Sequence, residues 1–421
     1  MRIEHLKLTN FRNYSSLELD FNNNVNIIIG DNGKGKTNIL ESIYVLSLTK
    51  TNRYGVEENL IKFDEEIAKL EGIVRKDDLI KKQEIYLTKK KKQIFINNKE
   101  MRRIRDYISN FCVISFTPED LEIVKGSPNV RRNMINIDIS QLHNNYISYL
   151  NEFNQIVKIR NEYLKKMNID GNSDVRYLDV VNTSMIEKGI KIYQYRYDFF
   201  KKINELLPKI FKKLSGLDNL MIKYETNFDL GEFELEKVKK NYESKLNKNF
   251  KVELMQGVTL VGPHRDDFSF DLSGINMKEF SSQGQQRLAI IALKIAEIYL
   301  YKEETGEYPV LLLDDIFSEI DTKKRNKIVN FLLKDIQSII TTTDINDIDE
   351  DLVKNATIFK VNNNKVTERG KKNGRRKGNN KLWFVSYTSL RGPWSRKKKT
   401  WYVYWYYWCK RTSSSCVGNR G

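Results

Sequence analysis

The sequence has 421 residues, 40% hydrophobic and 30% charged, with three histidines and three cysteines (Cys112, Cys409 and Cys416). That length allows two or three domains, and the composition excludes collagen-like and wholly disordered chains. It offers no membrane span, no apolar leader after Met1, no disulfide framework and no His-rich metal site, which together point to a cytoplasmic protein without a membrane partner. The net charge of +17 is uneven: residues 371–421 hold 14 of the 72 Lys and Arg and no acid, leaving 58 basic against 55 acidic residues before them.

Ile3, Leu6 and Leu8, then Leu17, Leu19 and Phe21, alternate as strands do. Asn22-Asn23-Asn24 reads as a turn, and Val25 to Ile29 as a short buried strand. A Gly-rich turn follows, then a helix marked by Ile39, Leu40, Ile43 and Leu46. Residues 83–97 predict a hairpin around a Lys-rich turn. From about 119 to 250 apolar residues recur three and four apart, as in Ile147, Leu150, Phe153, Ile156 and Val157, which predicts helices with a loop over Asn168 to Asp174. Strand character is expected again at Val258 to Val261 and at Val310 to Leu313. Strand and helix, a helical insert, then strand and helix define an α/β core interrupted by a helical lobe.

Gly30-Asp31-Asn32-Gly33-Lys34-Gly35-Lys36-Thr37 fills the phosphate-loop pattern G-x-x-x-x-G-K-[ST] between a strand and a helix. Glycines let backbone N–H groups face a phosphate, and the helix N-terminus adds partial positive charge. Lys36 is expected to reach the β- and γ-phosphates of ATP, and the Thr37 hydroxyl to ligate Mg2+. Val310 to Leu313 ends in Asp314-Asp315. Asp314 is the expected Mg2+ partner and Asp315 the base for the attacking water. Ser281-Ser282-Gln283-Gly284-Gln285-Gln286-Arg287 opens an apolar helix, either as a second anion-binding N-terminus or as a plain helix cap.

Taken in order, the phosphate loop, the S-x-G-Q helix start, the paired acids and Ser318-Glu319-Ile320-Asp321 resemble the ABC-type ATPase heads of the SMC class. Further phrases are similar to the RecF family in particular. They are Leu8-Thr9-Asn10-Phe11-Arg12-Asn13-Tyr14, Phe116-Thr117-Pro118-Glu119-Asp120-Leu121, Gly126-Ser127-Pro128 with Arg131-Arg132, and Gly262-Pro263-His264-Arg265-Asp266-Asp267. The resemblance implies an ABC-type P-loop ATPase head with an inserted helical lobe. Its parts would be an ATPase lobe over 1–117 and 251–369 and a helical lobe over 118–250. It implies a homodimer that sandwiches two ATP molecules, with Ser282 and Gly284 on the γ-phosphate held by the other subunit and Asp321 near the seam. It also implies weak ATP hydrolysis, ATP-dependent binding to DNA at gap junctions, and work with RecO and RecR to place RecA there.

Two departures from the wider ABC pattern stand out. Asp315 replaces a Glu, and Ile339-Ile340-Thr341-Thr342-Thr343-Asp344 carries no switch histidine, leaving Thr342 or Thr343 as the γ-phosphate sensor. No glutamine loop is identifiable. A transporter-type subunit would need that Glu, that His and a membrane partner; a nucleotide-gated clamp with negligible hydrolysis is the other alternative. The absence of heptads from the insert argues for a compact lobe rather than a coiled coil.

Four segments remain open. Lys89-Lys90-Lys91-Lys92 is either a solvated turn or a phosphate contact. Arg131-Arg132 is expected to pair with phosphate or with Glu119 and Asp120. Arg12 is expected near the nucleotide or in an ion pair, and His264 in loop packing. Residues 370–421 form a basic, aromatic tail containing all five tryptophans. Codons for Lys397 to Trp405 can be chosen so that a one-nucleotide slip reads KRPGMYIG, similar to the start of the gyrase B subunit. The tail therefore reads as a frame-shifted fusion that should not pack into a core, with single-strand stacking as the functional alternative.

Overall fold

The longest apolar runs make the strands of one sheet, because strands covered on both faces cannot alternate with polar residues. The computed structural model describes residues 1–368 apart from 22–23, 54–56, 77, 171–173, 317–334 and 349. Residues 1–370 form one compact unit. Ser318 to Asp321 and the tail thus lie outside the described residues.

The chain opens with β1 (Arg2–Phe11), β2 (Tyr14–Asp20) and β3 (Val25–Ile29), then α1 (Lys36–Leu48). β4 (Ile67–Lys76), β5 (Leu79–Thr88), β6 (Lys92–Ile96), β7 (Lys99–Glu100) and β8 (Val113–Phe116) follow. The insert contains α2 (Glu122–Lys125), α3 (Pro128–Leu142), α4 (Asn144–Asp170), α5 (Val175–Ser215), β9 (Leu220–Glu225) and α6 (Leu235–Gln256). β10 (Asp267–Leu272), β11 (Ile275–Asn276), α7 (Met277–Phe280), α8 (Gln283–Thr305), β12 (Val310–Asp314), β13 (Ser338–Thr342), β14 (Thr357–Asn362) and β15 (Lys365–Glu368) complete it.

The central sheet has the order β15-β14-β3-β13-β12-β8 and is parallel except for β15. Its pleat divides the residues between two cores. Ile28, Val310, Leu312 and Ile339 pack with α1 and the antiparallel sheet β2-β1-β4-β5-β6-β7. Ile27, Leu311, Leu313 and Ile340 pack with α8 and the inserted helices. Both α1 and the Asp314 end of β12 emerge at the carboxyl edge of this sheet, where α/β folds place ligands.

The expected strands around 3–21, 25–29, 83–97 and 310–313 are present. Two expectations fail. Leu220–Glu225 lies inside the stretch read as helical but forms β9, because Leu220 and Ile222 alternate inward and pair with β10. That pairing takes β9 from residues 118–250 and β10 from residues 251–369 into one three-stranded sheet. Val258 to Val261 is not a strand: the Val258 N–H donates back to the Glu253 carbonyl at 3.2 Å, and the next donors go to side chains instead of a ladder. Thr259 N–H donates to Asn161 Oδ1 at 2.7 Å, Leu260 N–H to Glu253 Oε1 at 2.7 Å, and Gly262 N–H to Asn227 Oδ1 at 3.2 Å. Asn168 to Asp170, expected as loop, are the last residues of α4; residues 171–173 of that interval lie outside the described residues.

Buried ion pairs fix this loop to the inserted helices. Arg160 of α4 donates to Glu253 Oε2 of α6 at 2.6 Å and to Thr259 Oγ1 at 2.9 Å. Arg196 of α5 donates to the Pro263 carbonyl at 2.6 Å and to Asp266 at 3.2 Å. Arg131 donates twice to Asp267, at 2.6 and 2.8 Å, and Arg132 donates to the Asp266 carbonyl at 2.7 Å. Neither Arg131 nor Arg132 therefore pairs with Glu119 or Asp120, one of the two expectations from sequence: helix α3 aims both at the loop.

His264 packs as expected. Its Nε2 lies 3.1 Å from the Thr259 carbonyl, and its ring rests on Phe153. Burial pushes its pKa from 6.5 down to about 4. Between those values the unfolded chain takes up a proton that the folded chain refuses, so stability is lost as pH falls through this window. The shift corresponds to about 3 kcal/mol. His264→Gln keeps a donor toward Thr259 but cannot titrate. Urea unfolding should show the parent losing about 3 kcal/mol relative to this variant between pH 7 and pH 4. Parallel stability curves would refute the buried neutral histidine.

Candidate functional site

The phosphate loop joins β3 to α1. A Cβ on Gly30 would lie 2.5 Å from the Val361 carbonyl oxygen, so β14 leaves room for glycine alone. Gly35 caps α1 at φ 102° with no side-chain cap bond, so the first N–H groups of the helix are left without a side-chain acceptor. A Cβ there would meet Asn13 Nδ2 at 2.6 Å and Tyr14 Oη at 2.8 Å. The phrase around Asn10 to Tyr14 thus walls the loop.

Lys36 Nζ donates to the Gly30 carbonyl at 2.5 Å and the Asp31 carbonyl at 3.0 Å. Burial lowers its pKa, against the opposing pull of Asp315, Asp314 and Asp31. Thr37 Oγ1 donates to Asp314 Oδ1 at 3.1 Å, and Thr341 Oγ1 donates to the same oxygen at 2.5 Å. Burial raises the Asp314 pKa, while these two hydroxyls hold it down. Asp315 takes a left-handed φ of 49°, and its N–H donates to Thr341 Oγ1 at 3.1 Å. Asp31, Asn32 and Gly33 form the exposed rim. Lys34 turns away, donating to Asn363 Oδ1 at 2.8 Å.

The Thr37 hydroxyl and Asp314 carboxylate supply hard oxygen ligands side by side, which fits Mg2+ held jointly with phosphate. Among the described residues no group of three or more His, Cys, Asp or Glu could hold a metal by itself.

For Arg12 the structure shows the second of its two expected places. Arg12 is committed to an ion pair, donating twice to the buried Glu41, at 2.9 and 2.6 Å. Of the threonine run, Thr341 meets both acids, whereas Thr342 Oγ1 donates to the Asp344 carbonyl at 2.8 Å and Thr343 is exposed. Thr341 was missed because strand register, not residue type, aims it: it pairs with Asp314 across the sheet.

The end of β8 was also missed as part of the site. A narrow cleft beside Thr37 and Asp314 is walled by Asn52, Arg53, Thr117 and Glu119. A second runs from Asp315 past Pro118 and Asp120 to Arg287 of α8. The phrase Phe116 to Leu121 was the available signal. Neither cleft is lined by Ser282 or Gly284. Ser282 caps α8 reciprocally with Gln285, and open space surrounds the position of a Gly284 Cβ.

A parallel sheet with a phosphate loop and paired acids at its carboxyl edge, beside an antiparallel sheet and a helical insert, defines a P-loop ATPase head. The family described as RecF/RecN/SMC N terminal domain matches residues 2–367. The DNA replication and repair protein RecF of Geobacillus sp. (strain WCH70) is 38% identical over 369 residues, 87% of this chain and 99% of that protein. RecF of Bacillus velezensis is 39% identical over 365 residues, 86% of this chain and 99% of that protein. A solved structure of the recombination mediator protein RecF with ATP, in the RecFOR pathway, superposes with TM-score 0.81 at 32% identity, covering 87% of this chain and 97% of the other. The chain belongs to the RecF family of DNA replication and repair proteins. Among the described residues no helix is long and apolar enough to cross a membrane.

Thr341 joins the two acids, so its hydroxyl should matter out of proportion to its size. Thr341→Val keeps the shape but strips a buried carboxylate of one donor and the Asp315 N–H of one acceptor. A loss of about 1–3 kcal/mol in urea unfolding is expected. A loss under about 0.5 kcal/mol would show that water replaces the hydroxyl freely.

Proposed function

We propose that the chain binds ATP with Mg2+ at the phosphate loop, hydrolyses it slowly, and in the ATP-bound state dimerises and binds DNA. We also assign to it the placing of RecA at gaps together with RecO and RecR, in the cytoplasm. The carrying observation is the Thr37–Asp314 bond of 3.1 Å beside Lys36, which joins loop and acid pair into one site. The RecF–ATP structure in the RecFOR pathway supports the ligand and the setting. We further propose an ATPase lobe over 1–117 and 251–369, a helical lobe over 118–250, and a tail from 370 that takes no part.

Lys36 would exchange two carbonyl partners for β- and γ-phosphate oxygens. Thr37 and Asp314 would hold Mg2+, which offsets phosphate charge when bound. Asp315 would accept the proton of the attacking water. An Asp reaches about 1 Å less far than a Glu, which favours slow turnover. Lys36→Ala should weaken ATP binding at least tenfold in a titration and abolish ATP-dependent DNA binding. Asp315→Asn should bind ATP as the parent does while turnover falls by about 10²-fold or more. Parent-like ATP affinity in the first variant would overturn the loop assignment; parent-like turnover in the second would remove Asp315 as the base.

Ser282 and Gly284 are proposed to meet the γ-phosphate bound by a second copy. Their exposure, and their absence from the clefts of their own subunit, support this. Ser282→Arg should leave ATP binding intact and prevent ATP-dependent dimerisation, as sized by light scattering. A pure cap would instead lose about 1 kcal/mol of stability and dimerise as before.

A further inference from the structure

The balanced charge of residues 1–370 hides a strongly basic sheet edge. Residues 79–105 carry ten Lys and Arg against Glu84 and Glu100, a net of +8, while the rest of residues 1–370 carries a net of −5. The cations that serve the fold have partners: Lys82 pairs with Glu71 and Glu84, Arg105 with Asp106, and Lys92 donates to the Thr49 carbonyl. Lys89, Lys90, Lys91, Lys99, Arg102 and Arg103 are exposed, and no acid lies in an ion pair with any of them among the described residues.

The fold holds these six in fixed places. Thr88 closes the β5–β6 turn: its N–H donates to the Lys91 carbonyl at 2.9 Å, and the Lys91 N–H donates to Thr88 Oγ1 at 2.9 Å. The β6–β7 ladder pairs Ile96 with Lys99 and Phe95 with Glu100, and the Met101 N–H donates to the Ile94 carbonyl at 2.8 Å. That register carries Arg102 and Arg103 back toward the lysine turn and leaves Lys99 at the other end of β6. The five residues of β6 span about 16 Å. Phosphates along one strand of a duplex advance about 3.4 Å each along the helix axis while turning about it, so an edge of this length can meet several phosphates at once.

We infer that this edge, Lys89–Lys91 with Lys99, Arg102 and Arg103, is a contact for the phosphate backbone of duplex DNA. The inference rests on the DNA-binding reading above and locates that contact. The edge favours a duplex over a single strand because it has no exposed aromatic for base stacking: Phe95 is half-buried against Tyr86. Lysines on a turn act as point charges toward phosphates and read no sequence. Lys92 anchors the turn on Thr49, the C-terminal cap of α1, whose other end begins the phosphate site. The thirteen residues of α1 separate the two by about 20 Å, so DNA and ATP do not compete for one surface.

Two variants test the edge separately, K89A/K90A/K91A and R102A/R103A. Each is made in the full chain and in the chain ending at Arg369, which removes the 14 cations of residues 371–421 and retains the compact unit. Anisotropy of a labelled duplex is read with ATP from 50 to 200 mM salt, with ATP affinity as the check on folding. In the chain ending at Arg369, each variant should bind at least tenfold more weakly at 100 mM salt. Its log–log salt slope should be shallower by about 2 or more, close to 0.9 per lost contact. Parent-like affinity and slope in both variants of this shorter chain would overturn the inference. So would variants that keep duplex binding and lose only binding to anionic phosphatidylserine vesicles, which would make the edge a lipid contact. A parent that binds no duplex with ATP would instead refute the DNA-binding reading itself.

Discussion

One carboxylate organises the carboxyl edge of the central sheet. Asp314 Oδ1 accepts hydroxyls from Thr37, at the start of α1, and from Thr341, at the end of β13. The three groups come from elements far apart in sequence, and only their meeting places the loop lysine beside the acid pair. Burial alone would favour the protonated acid; two donated hydrogen bonds favour the charged form that a divalent cation needs. The same contacts hold the turn into Asp315, whose left-handed backbone is costly without support.

The sheet behind this edge is mostly hydrophobic on both faces, with Gln141 satisfying both backbone groups of Val113 on its edge strand. The loop that packs on the inserted helices is built differently. From Val258 to Asp266 it has little regular structure: Asn161 of α4 and Glu253 of α6 accept from its N–H groups, while Arg196 of α5 and Arg132 of α3 donate to its carbonyls. Replacing such buried ion pairs by apolar residues can be neutral in stability, but removing one partner leaves an expensive unpaired charge. Here the pairs define one loop conformation across four helices, and the path from Asp315 past Asp120 to Arg287 links the site to the helix that begins at Ser282.

Charge follows a similar division. Cations that stabilise the fold are paired with acids or carbonyls, while those on the β6–β7 edge are left in water at the cost of mutual repulsion. A nearly neutral ATPase unit can therefore still present one strongly basic surface.

Much of the site was legible in the sequence. The phosphate loop depends on local backbone geometry, and its glycines, lysine and threonine sit within eight consecutive residues. The apolar runs ending in Asp314 and Asp315 identify a two-face-buried strand by composition alone. Partners set by long-range register were not legible. Thr341 and its neighbour Thr342 are the same residue type, and only the pairing of β13 with β12 aims the first at Asp314. For Arg12 and Arg131 residue type left phosphate and acid partners both open, and the packing supplies Glu41 and Asp267. Val258 to Val261 reads as a strand, because β-propensity cannot show that side chains have already taken its hydrogen bonds. The sequence by itself determined the local chemistry of the loop, the acids and the apolar strands, since periodicity and backbone preference are short-range. The tertiary structure decided which hydroxyl, arginine or lysine meets which partner, because those contacts depend on the register and packing of segments far apart along the chain.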